Sequence, residues 1–156
     1  MIGLLTSVSV LAASAVLLAR LRRRWVLVTV SGTSMTPTLQ PGDRLLVRRC
    51  RITGLKVGDI VVLEPPRPVH PRGVVVVAPA RPRTRWKVKR VVALPGDRIP
   101  VSARAASDGR ETVPENSLIV FGDAGESHDS RQVGLYSGDR ILGVAVRRRA
   151  GRLPRP

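Results

Sequence analysis

A serine that follows a strand-forming stretch is the first residue whose type and position could do chemistry. Residues 26–30 are mostly apolar and favour a β-strand, and the chain then reads S-G-T-S-M-T-P-T-L-Q-P-G-D. Gly32 permits a turn or a close approach of the backbone, and Pro37 favours an extended conformation at Thr36. Ser34 therefore has a position suited to a nucleophile, although most clusters of Ser, Thr, Gly and Pro are solvated turns.

A lysine inside a second apolar stretch could supply the base that such a serine needs. Residues 86–97 read W-K-V-K-R-V-V-A-L-P-G-D, which predicts a buried strand that ends in a turn. Burial lowers the pKa of a lysine, and its neutral amine can then act as a general base. Lys87 and Lys89 face the same side of a strand, so their spacing does not choose between them.

Histidine is the usual base in serine hydrolysis, and the chain has two histidines. His70 lies in a proline-rich stretch. His128 lies in a third stretch, residues 118–131, where an apolar run leads into G-D-A-G-E-S-H-D-S-R. Neither histidine has a partner fixed by the sequence, so His128 is the one candidate for a Ser-His arrangement and ranks below the lysine.

The chain resembles the signal peptidase I family of membrane-bound Ser/Lys proteases in the order of these three stretches. A strand that leads to the serine comes first, a strand that contains the lysine second, and a strand that runs into a polar loop third. The similarity covers about residues 28–143. It implies that Ser34 is the nucleophile, matching S-M-x-P-T-L, and that Lys89 is the general base, matching K-R-x-x-x-x-P-G-D. Lys89 is preferred to Lys87 because it precedes the arginine in the family pattern. Lys87 is then expected to be solvated or to face lipid headgroups, with Arg90 on the other face of the strand.

The third stretch resembles the family segment G-D-N…S-x-D-S-R, which is matched here by Gly122, Asp123, Ser127, Asp129, Ser130 and Arg131. The resemblance implies that Ser127 helps to orient the lysine, and that Asp129 and Arg131 brace the site through an ion pair. The alternative is an ordinary polar loop with an exposed and weak ion pair.

Three positions depart from the family pattern. Ala124 replaces the family asparagine in a loop that is one residue short, and Ala93 replaces a glycine. Gly32 stands where some members have a serine that serves the oxyanion hole, so that hole is expected to rest mainly on the Ser34 backbone N–H. These differences bear on loop geometry and efficiency more than on reaction type.

The resemblance also implies how substrate binds. Family members cut after small residues one and three positions before the bond, and the peptide adds as a strand to a sheet edge. Met35 and Pro37 are predicted to belong to that substrate-binding edge. This chemistry requires no cofactor, and one cysteine with two histidines gives no metal-ligand set.

Composition favours a β fold. Apolar residues make up 43% of the 156 residues but aromatics only 3%, so the core must be built from Val, Leu, Ile and Ala. The predicted fold is mainly β, a signal-peptidase-like antiparallel sheet or partly open barrel after one N-terminal transmembrane helix. Strands are predicted within 26–30, 44–49, 55–64, 74–78, 86–94, 118–121 and 141–146, the last closing the sheet, with a polar hairpin or excursion at 98–114.

Residues 1–19 carry no charged side chain and are predicted to be an uncleaved membrane anchor, with a cleaved secretory peptide as the main alternative. A basic juxtamembrane segment at 20–27, a protease domain at 28–146 and a basic, disordered tail at 147–156 complete the predicted organisation. The positive-inside rule applied to Arg20, Arg22, Arg23 and Arg24 would keep the domain in the cytoplasm. The family resemblance implies an extracytoplasmic domain, which we adopt because an inward-facing peptidase would not meet exported substrates.

The net charge of +16 calls for an anionic partner or surface. The chain has one Tyr, one Phe and two Trp to stack on bases and no periodic basic helix, so no specific nucleic-acid partner is expected. Anionic membrane lipids are the expected partner, and solvated arginines without a dedicated partner are the alternative.

The sequence therefore predicts a membrane-anchored Ser/Lys endopeptidase that removes signal peptides from exported preproteins. A dedicated maturation protease for one precursor is a close alternative. Self-cleaving repressor proteases share the dyad but predict an N-terminal DNA-binding module, where this chain is apolar. A catalytically inactive relative, or a basic module that binds membranes or nucleic acid, is the alternative from a different class. The sequence does not indicate an oligomeric state.

Overall fold

A computed structural model describes residues 24–65 and 86–149. Seven strands are present: β1 Trp25–Thr29, β2 Arg44–Arg48, β3 Ile60–Leu63, β4 Lys87–Ala93, β5 Ser117–Phe121, β6 Tyr136–Ser137 and β7 Ile141–Arg149. They form one antiparallel sheet in the order β1-β2-β7-β3-β4-β5-β6. The two edge strands, β1 and β6, do not pair with each other in the described part of the chain, so the sheet is open. The predicted mainly β, antiparallel fold is confirmed.

Period-two alternation explains why these residues form strands. In β2, Leu45 and Val47 are buried while Arg44 and Arg48 are exposed. In β4, every second residue is buried, beginning with Lys89. The buried side of each of these strands packs into the core, and the other side of β2 leaves Arg44 and Arg48 exposed.

Three apolar clusters form the core, and the second of them holds the serine loop. That cluster contains Val30, Met35, Leu39, Leu45, Val47, Val62 and Leu142. Met35 and Leu39 are 1% and 2% exposed, and burying each contributes about 1.5–3 kcal/mol. The loop that carries Ser34 is thus attached to the sheet by its own side chains.

The position of β7 differs from the prediction. It lies inside the sheet between β2 and β3 and does not close it. It also runs to Arg149, three residues into the predicted tail, because Arg147, Arg148 and Arg149 pair with the backbone of β2. Likewise β1 begins at Trp25, inside the predicted 20–27 segment. Composition alone does not indicate these strand ends, because they depend on backbone pairing between strands that are distant in the sequence.

Residues 98–114 contain more structure than a polar excursion. Arg98 and Thr112 form an isolated bridge, and between them lie helix α1, Val101–Arg104, and a 3₁₀ turn. Ile99 and Ala103 are buried against the third core cluster. A second short helix, α2, spans Ser130–Val133.

Several predictions fall outside the described residues, namely the anchor at 1–19, the arginines at 20, 22 and 23, His70 and the strand at 74–78. Among the residues that are described, no helix has the length and apolar character needed to cross a membrane.

Candidate active site

The serine loop between β1 and β2 is closed at its base by backbone hydrogen bonds. The Val30 N–H donates to the Asp43 carbonyl and the Gly42 N–H to the Val30 carbonyl, each at 2.8 Å. The Asp43 carboxylate accepts the Gln40 N–H. This closure positions Ser34, which is partly exposed and whose hydroxyl has no hydrogen-bond partner among residues 24–65 and 86–149.

Lys89 lies on β4 opposite Val61 and is 1% exposed. Its Nζ donates a 2.6 Å hydrogen bond to the Ser127 Oγ. Burial lowers the pKa of Lys89, the Asp129 carboxylate opposes this shift, and the positive charges of Lys87 and Arg131 reinforce it. The prediction that Lys89 is buried on a strand is confirmed.

Asp129 lies behind Ser127 and is fully buried. It caps α2 and accepts hydrogen bonds from the Gly122 N–H at 2.7 Å and from the Arg131 guanidinium at 2.7 and 2.9 Å. Burial alone would raise the pKa of this carboxyl, but hydrogen bonds from Arg131, Gly122 and Ser127 lower it to about 2. Ser127 and Asp129 therefore belong to a buried hydrogen-bond network. The alternative of an exposed ion pair does not hold for Asp129, whose side chain is 0% exposed.

Gly122 is the contact point between the serine loop and the lysine support. A Cβ at this position would overlap the Ser127 hydroxyl and the Ser34 carbonyl. The Ala124 N–H donates to that same Ser34 carbonyl at 3.1 Å. The backbone around Ser34 is thus held against the loop that holds Lys89, a role of Gly122 that motif matching alone did not reveal.

A second ion pair, not anticipated from the sequence, ties three segments together. Arg90 donates to both oxygens of Asp123, at 2.9 and 2.5 Å, and to the Gly58 carbonyl at 3.0 Å. The hydrogen bonds from Arg90 lower the pKa of Asp123 and outweigh burial, which raises it. A hydrogen bond with Thr38, in the serine loop, lowers the pKa further. Asp123 therefore connects β4 to the serine loop. The adjacency of Arg90 to Lys89 and of Asp123 to Gly122 was the available sequence signal.

A cleft of about 910 Å³ brings the two sequence motifs together. It is lined by Val28, Thr29, Val30, Ser31, Gly32, Thr33, Ser34, Met35, Trp86, Lys87, Val88, Lys89, Glu126 and His128. Glu126 at this cleft was missed, because nothing in the motif marks it.

The other predicted site residues lie around this cleft or away from it. Ser127, Asp129 and Arg131 do not line it but lie behind Lys89. Gly32 is exposed, and no described atom lies within 4 Å of a Cβ built there, so the protein itself makes no close approach at this position. Met35 lines the cleft, whereas Pro37 is exposed and does not line it.

Within the described ranges no three His, Cys, Asp or Glu residues are grouped as metal ligands would be.

We expect Asp129 to make stability depend on pH at the acidic end. Its pKa of about 2 lies below the ordinary aspartate value of 3.8. The folded state therefore has this added stability above the unfolded-state pKa and loses it as the pH falls towards 2. The difference corresponds to about 2 kcal/mol. Chemical denaturation of the wild type and of Asp129→Asn between about pH 5 and 2 measures it. Parallel pH dependence in the two proteins would contradict this prediction.

Comparisons with known proteins show which family the sequence resembles. A family model described as signal peptidase, peptidase S26, matches residues 3–107, a range that includes Ser34 and Lys89 and ends before Gly122. The chain is 30% identical to probable signal peptidase I-1 of Synechocystis sp. over 75% of this chain and 67% of that protein. It is 28% identical to signal peptidase I of Leptolyngbya laminosa, over 75% of this chain and 64% of that protein.

A third relative, 26% identical over 73% of this chain and 72% of its own length, is the inactive signal peptidase IA of Staphylococcus aureus. The matched regions cover between 59% and 72% of the lengths of the curated relatives. Because the family model spans well over half of the 156 residues, we conclude that this chain belongs to the signal peptidase family, peptidase S26.

Proposed function

We propose that the protein is a Ser/Lys endopeptidase in which Ser34 is the nucleophile and Lys89 the general base. The observation that carries this proposal is the environment of Lys89, a 1%-exposed amine hydrogen-bonded to a hydroxyl and lining the same cleft as Ser34. An amine paired with a carboxylate would keep its proton. Here burial dominates and lowers the pKa of Lys89, which favours the neutral form that a base requires.

The reaction begins when the Ser34 hydroxyl gives its proton to the neutral Lys89 Nζ as Oγ bonds to the scissile carbonyl carbon. The tetrahedral intermediate then collapses, the C–N bond breaks, and the Lys89 ammonium gives its proton to the leaving amine. Water attacks the resulting ester and passes a proton to Nζ. The ester C–O bond breaks and the Ser34 oxygen regains a proton. Ser127, which accepts from Nζ at 2.6 Å, holds the amine in place through both halves.

The oxyanion is expected to bind at the backbone N–H of Ser34. This N–H has no acceptor within the part of the chain that the structure describes. Gly32 lies beside it at the open wall of the cleft and adds no side chain. An unpaired donor in a cleft is available for a developing negative charge.

The substrate is expected to bind as an extended strand. The cleft is bounded by the end of β1, whose outer edge is unpaired in the described sheet, and by Lys87, Val88 and Lys89. Those three β4 residues pair with β3 on one edge. Their other edge is unpaired in the described sheet, because the pairing of β4 with β5 begins only at Arg90. Two free edges facing one cleft can accept a peptide by backbone hydrogen bonding.

The proposed substrates are signal peptides of exported preproteins; two relatives are named signal peptidase I-1 (probable) and signal peptidase I. A dedicated maturation protease would use the same site. We propose no cofactor and no nucleic-acid partner.

Attachment to the membrane is part of the proposal, with residues 1–19 as the anchor and the domain outside the cytoplasm. The outer face of the β1–β2 pair supports contact with anionic lipid, since exposed Trp25 and Leu27 lie there with Arg48 opposite Trp25. A membrane-impermeant thiol reagent should label Cys50 from outside intact cells. Protection in cells, with labelling of the folded protein in detergent, would contradict this orientation.

The direct test is cleavage of a preprotein by the purified full-length protein in detergent–phospholipid micelles. We expect one cut after a small residue, identified by sequencing the new N-terminus, and its loss in Ser34→Ala. If the folded wild type binds preprotein and does not cut it, the protein is inactive, like the Staphylococcus aureus relative. Full activity in Ser34→Ala would exclude Ser34 as the nucleophile.

A further inference from the structure

The cleft carries two opposite charges that the proposed chemistry does not use. Besides Lys89, its charged lining residues are Lys87 and Glu126, and Glu126 is its one carboxylate in a chain with 27 basic and 11 acidic residues. Neither forms an ion pair with another residue of the described ranges. Both side chains are exposed, so both charges are available to a ligand in the cleft.

The two charges lie on different elements of the cleft wall, Glu126 on the loop after β5 and Lys87 on β4. Glu126 and His128 are exposed on either side of buried Ser127, so the loop directs Ser127 to Lys89 and leaves its neighbours at the cleft. The Ser127 hydroxyl and the Ser34 carbonyl both flank Gly122, so the residue that follows Glu126 lies close to the backbone of Ser34.

Lys87 lies on the β4 wall of the cleft. It is two residues from Lys89 on β4, a displacement of about 7 Å along the strand. A strand-like peptide passing Ser34 would therefore meet the two charges at different residues.

We infer that Glu126 and Lys87 are specificity-determining residues that read the charge of two different substrate side chains. Glu126 favours a basic residue close to the scissile bond, and Lys87 favours an acidic residue farther from it. This inference rests on the proposed function, because it assigns ligands to the same cleft. Its physical basis is that an unpaired charge attracts its opposite and repels its like, so each position discriminates in both directions.

The test uses preprotein-derived peptides that differ only in Lys, Gln or Glu at each position around the bond, with the full-length protein in detergent–phospholipid micelles. For the wild type we expect kcat/KM to favour Lys over Glu at one position near the bond, and Glu over Lys at a more distant one, by about threefold to fivefold each. Glu126→Gln should remove the first preference and keep the second. Lys87→Gln should do the reverse, and Glu126→Lys should invert the first.

Glu115→Gln and Lys56→Gln are matched controls, because both residues are exposed and neither lines the cleft. They should leave both preferences unchanged. Shifts of similar size at every position in all four variants, with opposite signs for the Glu→Gln and the Lys→Gln changes, would show a general field effect and overturn the inference. Ratios near one in the wild type would also overturn it. Anisotropy measurements of the same peptides bound to Ser34→Ala read the preferences without catalysis. Charge preferences in binding without cleavage by the wild type would contradict the proposed protease function alone. Cleavage without charge preferences would contradict the inference about Glu126 and Lys87 alone.

Discussion

Lys89→Ala is expected to lower kcat/KM for preprotein cleavage by about 10³–10⁴-fold, with the loss in kcat. The variant removes the amine that accepts the Ser34 proton and leaves Ser127 without its 2.6 Å donor. Substrate contacts along the cleft edges remain, so KM should change little. Single-turnover cleavage by the purified variant, compared with the wild type, measures the chemical step.

Lys56→Ala is the control for loss of a lysine, since Lys56 is exposed in the turn before β3, outside the cleft. It should retain wild-type kcat. The informative comparison is Lys87→Ala, which removes the neighbouring amine on the same strand. Loss of kcat in Lys87→Ala with survival of activity in Lys89→Ala would assign the base to the other lysine.

Gly122→Ala is expected to reduce activity by at least about 100-fold, because a misplaced catalytic group is costly. The new methyl group would overlap the Ser127 hydroxyl and the Ser34 carbonyl, so one of these must move. Displacement of Ser127 releases the Lys89 amine, and displacement of Ser34 moves the nucleophile. Activity and the thermal unfolding midpoint, measured on the same sample, separate a shifted site from an unfolded protein.

Gly125→Ala provides the matched control in the same loop. No described atom lies within 4 Å of a Cβ at Gly125, so this variant should keep both activity and stability. Equal activity of the Gly122 and Gly125 variants would mean that the loop tolerates a side chain at the contact between Ser34 and Ser127. The proposed coupling between nucleophile and base support would then be wrong.

Local pattern was enough to predict most of the sheet and the burial of Lys89. The apolar residues around Lys89 in β4 and the alternation of apolar and charged residues in β2 are local patterns. Each indicates which side chains of its own strand are buried. The interior position of β7 depends on pairing with β2 and β3, far away in the chain, and no local signal marks it.

The candidate site likewise combines local motifs with contacts between distant parts of the chain. Ser34 and Lys89 lie in motifs that resemble the family pattern, so the resemblance made them the predicted nucleophile and base. The contact of Gly122 with Ser34 and the pairing of Arg90 with Asp123 exist only after the strands have assembled. Predicting them requires the relative placement of β4, β5 and the serine loop.

The most direct test of the account is the protonation equilibrium of Lys89 in the folded protein. The chain contains only three lysines, Lys56, Lys87 and Lys89, so ¹³Cε NMR of lysine-labelled protein gives few signals, and Lys89→Arg assigns the one of interest. We predict that Lys89 loses its proton at a pH below the ordinary lysine pKa of 10.5. We also expect kcat/KM to rise with pH through the same transition. A Lys89 signal that titrates at or above the ordinary value would contradict a neutral amine as the base.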